Sequence, residues 1–271
     1  MTKNKQFTNY LLNVDSRTDR LLNASTRFAD IGQSFTRVSA ITGSNLVENG
    51  FHLITRPNTE ANWRSIQKIF KMFLETGDEF CFVFEDDVVF NPGYDLFSKC
   101  FHENFDQAVD VLQFGFLTFD GRNDDRKKNI YKVIRIYLVN LFLARLKFVK
   151  FFSKFGYLAN GTIFENLLDQ LKESEKRILM QKQLGLKHPL IRAFEPGTHG
   201  FIISRRMAQL VCEFNLPMIM SADLVFMTLA KNSQFNIYRL GFPLASQDDT
   251  TPSINGHASK NYDLAFELLG K

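Results

Sequence analysis

The sequence predicts an α/β domain: a mainly parallel sheet flanked by helices, carrying a helical insertion. Three observations lead there. Two short, almost wholly apolar runs, Glu79 to Phe84 and Val109 to Phe116, read as strands buried on both faces. Segments with apolar residues at helical spacing alternate with such runs. The resulting order of strand, helix, strand, helix, strand requires crossover connections, and these favour parallel neighbours.

Taken in order, Phe7 to Val14 is rich in Tyr, Leu and Val and reads as the first strand. Asp15 or Ser16 is placed to cap the helix that follows, with Leu21, Leu22, Ser25, Phe28 and Ala29 on its buried face and Gly32 as its stop. Ser34 to Ala40 is a second short strand, and Ser44 to Asn58 reads as irregular. Thr59 to Glu75 carries Ala61, Ile66, Ile69, Phe70 and Phe73 at helical spacing and is closed by Gly77. The strand after it ends abruptly in Glu85-Asp86-Asp87. Ile130 to Leu186 reads as mostly helical, giving one domain over residues 1–271 with an insertion at about residues 122–190. Regular alternation resumes after Pro196. Phe201 to Ile203 is a strand, Ser204 caps a helix through Phe214, Ser221 caps another through Ala230, and Phe235 to Leu240 is a last strand. Gln247 to Lys260 is a polar, turn-rich tail.

Composition bounds the function. Apolar residues make up 45% of 271, enough for a sizeable core, and the 29 phenylalanines make that core aromatic. A net charge of +4 falls short of a dedicated nucleic-acid binder but suits a polyanionic ligand such as a nucleotide diphosphate, or an anionic surface. The three cysteines, Cys81, Cys100 and Cys212, are odd in number and lack a CxxC spacing, so free thiols in a reducing compartment are expected. Met1 to Gln6 is polar and no apolar run approaches the roughly 20 residues of a membrane span. A cytoplasmic location follows as the expectation. Walker glycine loops, GxGxxG, serine elbows and HExxH zinc patterns are missing, which removes support from P-loop kinase, dinucleotide-dehydrogenase, serine-hydrolase and zinc-protease readings.

The acidic triplet is the strongest local signal. Three adjacent carboxylates at the end of a buried strand repel one another and raise each other's pKa. A divalent cation removes that penalty, and Mg²⁺ or Mn²⁺ takes one or two carboxylates together with phosphate oxygens. Strand alternation would set Glu85 and Asp87 on one face, with Asp86 pointing away. The competing reading is a solvated strand end. Asp15 also falls at a strand carboxyl end, where parallel sheets bind ligands, so Asp15 and the triplet are expected to face one crevice.

Several blocks, in order, resemble glycosyltransferase family 25. They are Leu12-Asn13-Val14-Asp15-Ser16-Arg17-Thr18-Asp19-Arg20, Phe35 to Gly43, Val83-Phe84-Glu85-Asp86-Asp87-Val88, and Gly197-Thr198-His199-Gly200-Phe201-Ile202-Ile203-Ser204-Arg205-Arg206. Asp223-Leu224 and Pro252-Ser253-Ile254 are weaker matches. The likeness covers most of the chain except about residues 120–195. It implies a GT-A-like (Rossmann-like) domain. The implied reaction is a metal-dependent, inverting transfer of a sugar, galactose by analogy, from a UDP-sugar to a glycan or lipopolysaccharide-type acceptor. Mn²⁺ or Mg²⁺ would be held by Asp87, Glu85 and His199, with Glu85 assigned either to the cation or to the ribose. The donor would meet Asn13, Asp15, Arg17, Arg20, Ala40, Glu85 and Asp86. Asp223 would be the base that takes the acceptor proton, with Asp248 or Asp249 as the fallback. Where the family carries a Gly-Cys and Ser-His signature, this chain reads Arg56-Pro57-Asn58-Thr59-Glu60-Ala61-Asn62, and Ala222-Asp223 stands where it favours paired acids. These differences support a second reading, an inactive relative that binds a nucleotide, a glycan or a partner protein. A phosphoryl- or nucleotidyl-transferring enzyme is a third.

Residues 126–154 contain nine Lys and Arg without an acid, interleaved with apolar residues. This segment is expected either to pack on the core as an inserted helical subdomain or to lie peripherally on an anionic membrane.

Overall fold

A computed structural model describes residues 7–48, 56–105, 108–117, 161–186, 188, 190–213 and 221–248. The basic segment at residues 126–154, the fallback Asp249 and the tail after it lie outside these residues. The fold is α/β, and the sheet, expected to be mainly parallel, is mixed. Strands β1 (Thr8–Asn13), β2 (Thr36–Ser39), β3 (Phe80–Glu85), β4 (Val88–Phe90), β5 (Val111–Gly115), β6 (Gly200–Ser204), β7 (Ile237–Arg239) and β8 (Ala245–Gln247) form one sheet. Its order is β2-β1-β3-β6-β5-β8-β4, with β7 beside β5. The pairs β1–β2, β1–β3, β5–β7 and β5–β8 are parallel, while β6 runs antiparallel to both β3 and β5, and β4 antiparallel to β8. Strand β6 enters from the opposite end after the long excursion that follows β5, so the alternation rule that implied parallel neighbours does not reach it.

The sheet must also curl. Four strand steps separate β3 from β4 in the order, about 19 Å in a flat sheet. The three residue steps from Glu85 to Val88 span at most about 11 Å. Only a curled sheet, which brings β4 back toward the end of β3, satisfies both.

Side-chain alternation sorts the strands onto two cores. Tyr10, Leu12, Cys81, Val83, Val111, Phe201 and Ile203 pack with helices α3 (Pro57–Leu74), α6 (Arg205–Glu213) and α7 (Ala222–Ala230). Leu11, Phe82, Phe84, Leu112, Phe114 and Ile202 pack with α1 (Thr18–Asp30), α4 (Tyr94–Asn104) and α5 (Gly161–Gln183). The second core is a phenylalanine lattice in which Phe82, Phe84 and Phe114 lie with ring centroids 5.5–6.3 Å apart. A short helix, α2 (Gly43–Glu48), occupies part of the stretch expected to be irregular. Of Ile130 to Leu186, expected to be mostly helical, the described residues form α5.

Local expectations change at the caps. Neither Asp15 nor Ser16 caps α1, because Arg17 sits at its N-cap and Asp15 is held by Arg37 and Ser39. The face of α1 is shifted too: Arg20, Ala24 and Phe28 are buried, whereas Leu22 is exposed. Gly32 does stop the helix, in the left-handed region at φ 66°, with Gln33 N–H donating to the Phe28 carbonyl. Ser204 accepts from the Met207 N–H as expected of a cap. Ser221 occupies the N-cap of α7, but its hydroxyl goes to Asp223 instead of a helix N–H. The cysteines are free thiols, Cys81 buried and the other two half-buried. Among the described residues no helix is long and apolar enough to cross a membrane.

Candidate active site

The carboxyl ends of β1 and β3 and the amino end of the antiparallel β6 meet at one edge of the sheet. A cavity of about 280 Å³ opens there, lined by Leu12, Arg20, Ala40, Glu85, Asp86, Asp87, Thr198, His199 and Asp223 among others. Seven sequence-predicted site residues therefore converge: Arg20, Ala40, Glu85, Asp86, Asp87, His199 and Asp223. Three do not line it. Asn13 is buried behind the wall, Asp15 is exposed and bound to Arg37 and Ser39, and Arg17 pairs with Asp19 at 2.8 Å.

Strand alternation does not govern the acidic triplet, because β3 ends at Glu85 and the next two residues form a turn. Asp86, expected to point away, instead shares a partner with Asp87. Arg20 Nη1 lies 3.0 Å from Asp86 Oδ1 and 3.0 Å from Asp87 Oδ2. Asn13 Nδ2 donates to Asp86 Oδ2 at 2.7 Å, and Gln247 Nε2 donates to Asp87 Oδ2 at 2.9 Å. The Asp248 N–H donates to the Asp87 carbonyl at 2.8 Å, and Arg27 pairs with the Asp248 carboxylate. Asp248, the fallback base, is thus engaged in holding the turn. Glu85 accepts from Thr198 Oγ1 and, at 3.4 Å, from Asn62 Nδ2.

The cavity is rich in negative charge. Four acids, Glu85, Asp86, Asp87 and Asp223, line it against one guanidinium, that of Arg20. Burial, then the Asp87 charge, pushes the Glu85 carboxyl up to about 7. Burial also raises Asp87, against the pull of Arg20. His199 moves the other way: burial holds the imidazole down at about 4, so it is neutral at pH 7. One ring nitrogen bonds the Phe116 backbone, and Nε2 is buried with no hydrogen-bond partner. Asp87 Oδ1 is likewise buried and unpartnered.

Glycine and glutamine set the loop that carries Thr198 and His199. Gly197 adopts φ 105°, and a Cβ there would lie 2.8 Å from the His199 ring. Gly200 passes so close to Phe114 that a Cβ would fall 2.6 Å from it. From within β5, the Gln113 side chain donates to the Glu195 and Gly197 carbonyls at 2.9 and 2.8 Å and accepts from the Glu195 N–H at 2.8 Å. On the far wall, Asp223 Oδ1 accepts from Ser221 Oγ and from the Leu224 N–H at 3.0 Å, which fixes the carboxylate at the start of α7.

Sequence reasoning missed several lining residues. Asn58, Asn62 and Ser65 face the cavity from α3, and Gln247 from β8. Asn58, Asn62 and Ser65, four and three residues apart, form a polar stripe on one face of α3, a readable signal. No family model matches the chain, and no curated protein matches it significantly.

Two buried, unpartnered atoms of cation-ligating type, Asp87 Oδ1 and the neutral His199 Nε2, belong to residues that line the same cavity as Glu85. That donor set suits Mn²⁺ or Mg²⁺. Among the described residues, no three His, Cys, Asp or Glu side chains are grouped closely enough to make a complete cation site by themselves.

Proposed function

We propose that the protein is a nucleotide-sugar-dependent glycosyltransferase whose donor sits over Glu85, Asp86 and Asp87. The observation that carries this reading is the pair of buried, unpartnered ligand atoms, Asp87 Oδ1 and His199 Nε2, in a cavity with an excess of acids. A divalent cation would be held by Asp87 with His199 or Glu85, and the diphosphate would supply the oxygens the protein lacks. When bound, that cation takes up charge developing on the leaving diphosphate. Arg20 orients the two aspartates and adds positive charge beside the phosphates. Thr198 and Asn62 orient Glu85 toward the cation or the ribose. Asp223 receives the acceptor hydroxyl's proton as that oxygen attacks the anomeric carbon from the side opposite the leaving group, inverting the centre. UDP as the nucleotide, galactose as the sugar and a glycan or lipopolysaccharide-type acceptor rest on the resemblance to family 25. So does the general GT-A-like architecture.

A second reading is favoured by Arg20, which already bridges Asp86 and Asp87: a nucleotide- or glycan-binding relative that works without a cation and transfers nothing. Nucleotide release separates the two. The enzyme reading expects UDP release from a panel of UDP-sugars with Mn²⁺, and loss of at least about a hundredfold of it in Asp87→Asn with the melting profile retained. Full release in Asp87→Asn rejects the cation role. Nucleotide-sugar binding without release from any donor, with or without an added glycan acceptor, supports the binding module instead.

A further inference from the structure

At the other end of β1 lies a second, larger cavity of about 740 Å³ that the proposed function does not use. The six residue steps from Phe7, in its wall, to Asn13, behind the acid cluster, put the two sites about 20 Å apart. The cavity opens between the C-terminal end of α1, the start of β2 and one face of α4. Its origin is an anomaly in β1. The stripe Phe7, Asn9, Leu11 faces the phenylalanine core, and Asn9 interrupts it with an amide that is 9% exposed. Asn9 Nδ2 donates to the Ser34 carbonyl at 2.8 Å and to Gln33 Oε1 at 3.3 Å. Gln33 Nε2 continues the row to Ser98 Oγ at 2.8 Å. Asn9 Oδ1 ends the row with no partner, and a buried amide oxygen left so is costly.

The lining defines the ligand chemistry. Beside this amide row stands His102, stacked on Phe82 with ring planes 13° apart and held below its usual pKa by burial. Neutral imidazole offers one donor and one acceptor. The charged groups in the wall are Lys99 and Asp95, which balance. A polyphosphate would want several cations here, and a hydrocarbon would leave Asn9 Oδ1 without a donor. A neutral ligand with many hydroxyls can supply one, and the half-buried ring of Phe35 gives its C–H face an aromatic surface.

We infer that this cavity is a binding site for a neutral sugar, engaged by Asn9, Gln33, Ser98 and His102. It stands on its own lining and does not depend on the proposed transfer reaction. Near a transferase centre it would hold a saccharide chain some distance from its reacting end.

The test is amide-resolved NMR of the full chain titrated with lactose, maltose, cellobiose and chitobiose. At least one should perturb amides clustered at residues 32–36 and 95–102, with a Kd in the millimolar range, and leave a UDP–Mn²⁺ response unchanged. Gln33→Met should weaken it about tenfold, the value of a hydrogen bond or two lost. Should that variant not fold, Thr36→Trp, at an exposed β-strand position in the cavity wall, should block binding while keeping the fold. Absence of perturbation with all four sugars overturns the inference. So does perturbation confined to the acid cavity, or undiminished binding in the folded variants.

Discussion

Arg20→Met tests the electrostatic logic of the acid cavity directly. Arg20 is 7% exposed, and its single Nη1 serves both Asp86 and Asp87, themselves 6% and 3% exposed. Methionine keeps most of the side-chain length and removes the only guanidinium among the lining residues. Breaking a buried pair from one side costs about 3–5 kcal/mol, because the remaining charge is left uncompensated. In a domain of this size that lowers Tm on the order of 10 °C. The loss should be largest in EDTA at pH 8, where Glu85 and Asp87, both raised by burial, must ionise. It should shrink as the pH falls and these two take up protons. Mn²⁺ should also restore the variant more than it stabilises the parent, since a cation binding only the folded state adds RT ln(1 + [Mn²⁺]/Kd), about 2.7 kcal/mol at a hundred times Kd. Differential scanning calorimetry across pH, with EDTA or Mn²⁺, reads all three effects. A variant within about 1 kcal/mol of the parent at pH 8 in EDTA would refute the claim that Arg20 neutralises the aspartates.

Other perturbations follow from the same geometry. Glu85→Gln should remove a pH dependence: between the ordinary value of 4.5 and about 7 the folded protein keeps a proton that the unfolded chain has lost, so stability falls as pH rises through that window. The glutamine variant lacks this term and should gain up to about 3 kcal/mol relative to the parent from pH 4.5 to above 7, measured by urea unfolding in EDTA. His199, depressed to about 4, has the opposite slope but is present in both proteins and cancels in the difference. Asp223→Asn should reduce transfer by about 10²–10⁴ while nucleotide-sugar binding by calorimetry is unchanged; undiminished turnover assigns the base elsewhere. Gly200→Ala should cost about 1–3 kcal/mol through the clash with Phe114, and an unchanged unfolding midpoint would show that the ring has room to move.

How far the sequence foretold this arrangement depends on the range of the interaction. Local signals worked: the apolar run ending in three acids marked β3, and Ser204 and Gly32 marked the helix ends they control. The carboxyl end of β3, where parallel sheets bind ligands, opens on the acid cavity. The direction of β6 could not be read locally, because it depends on the path taken by distant chain. Strand β8 escaped notice because Ala245-Ser246-Gln247 has no apolar alternation. The phase of α1 was misjudged for an informative reason: apolar spacing put Leu22 inward, but Arg20 takes the inner face to reach Asp86 and Asp87, leaving Leu22 68% exposed. His199 enters the candidate site through the family resemblance alone, and Thr198 stands in the same block with no role assigned to it; no pattern of residues singles either of them out.

The brief link between Glu85 and Val88 carries a mechanical implication. Asp86 and Asp87 are the whole of a tether joining an inner strand, β3, to an edge strand, β4. Any flexing that spreads the sheet must pull on these two side chains' backbone, while Asp248 and Gln247 grip the same link from β8. Curvature of the sheet and the placement of the two aspartates are therefore linked. Tightening the bend with a substitution far out on β4 would retune the acids without touching them.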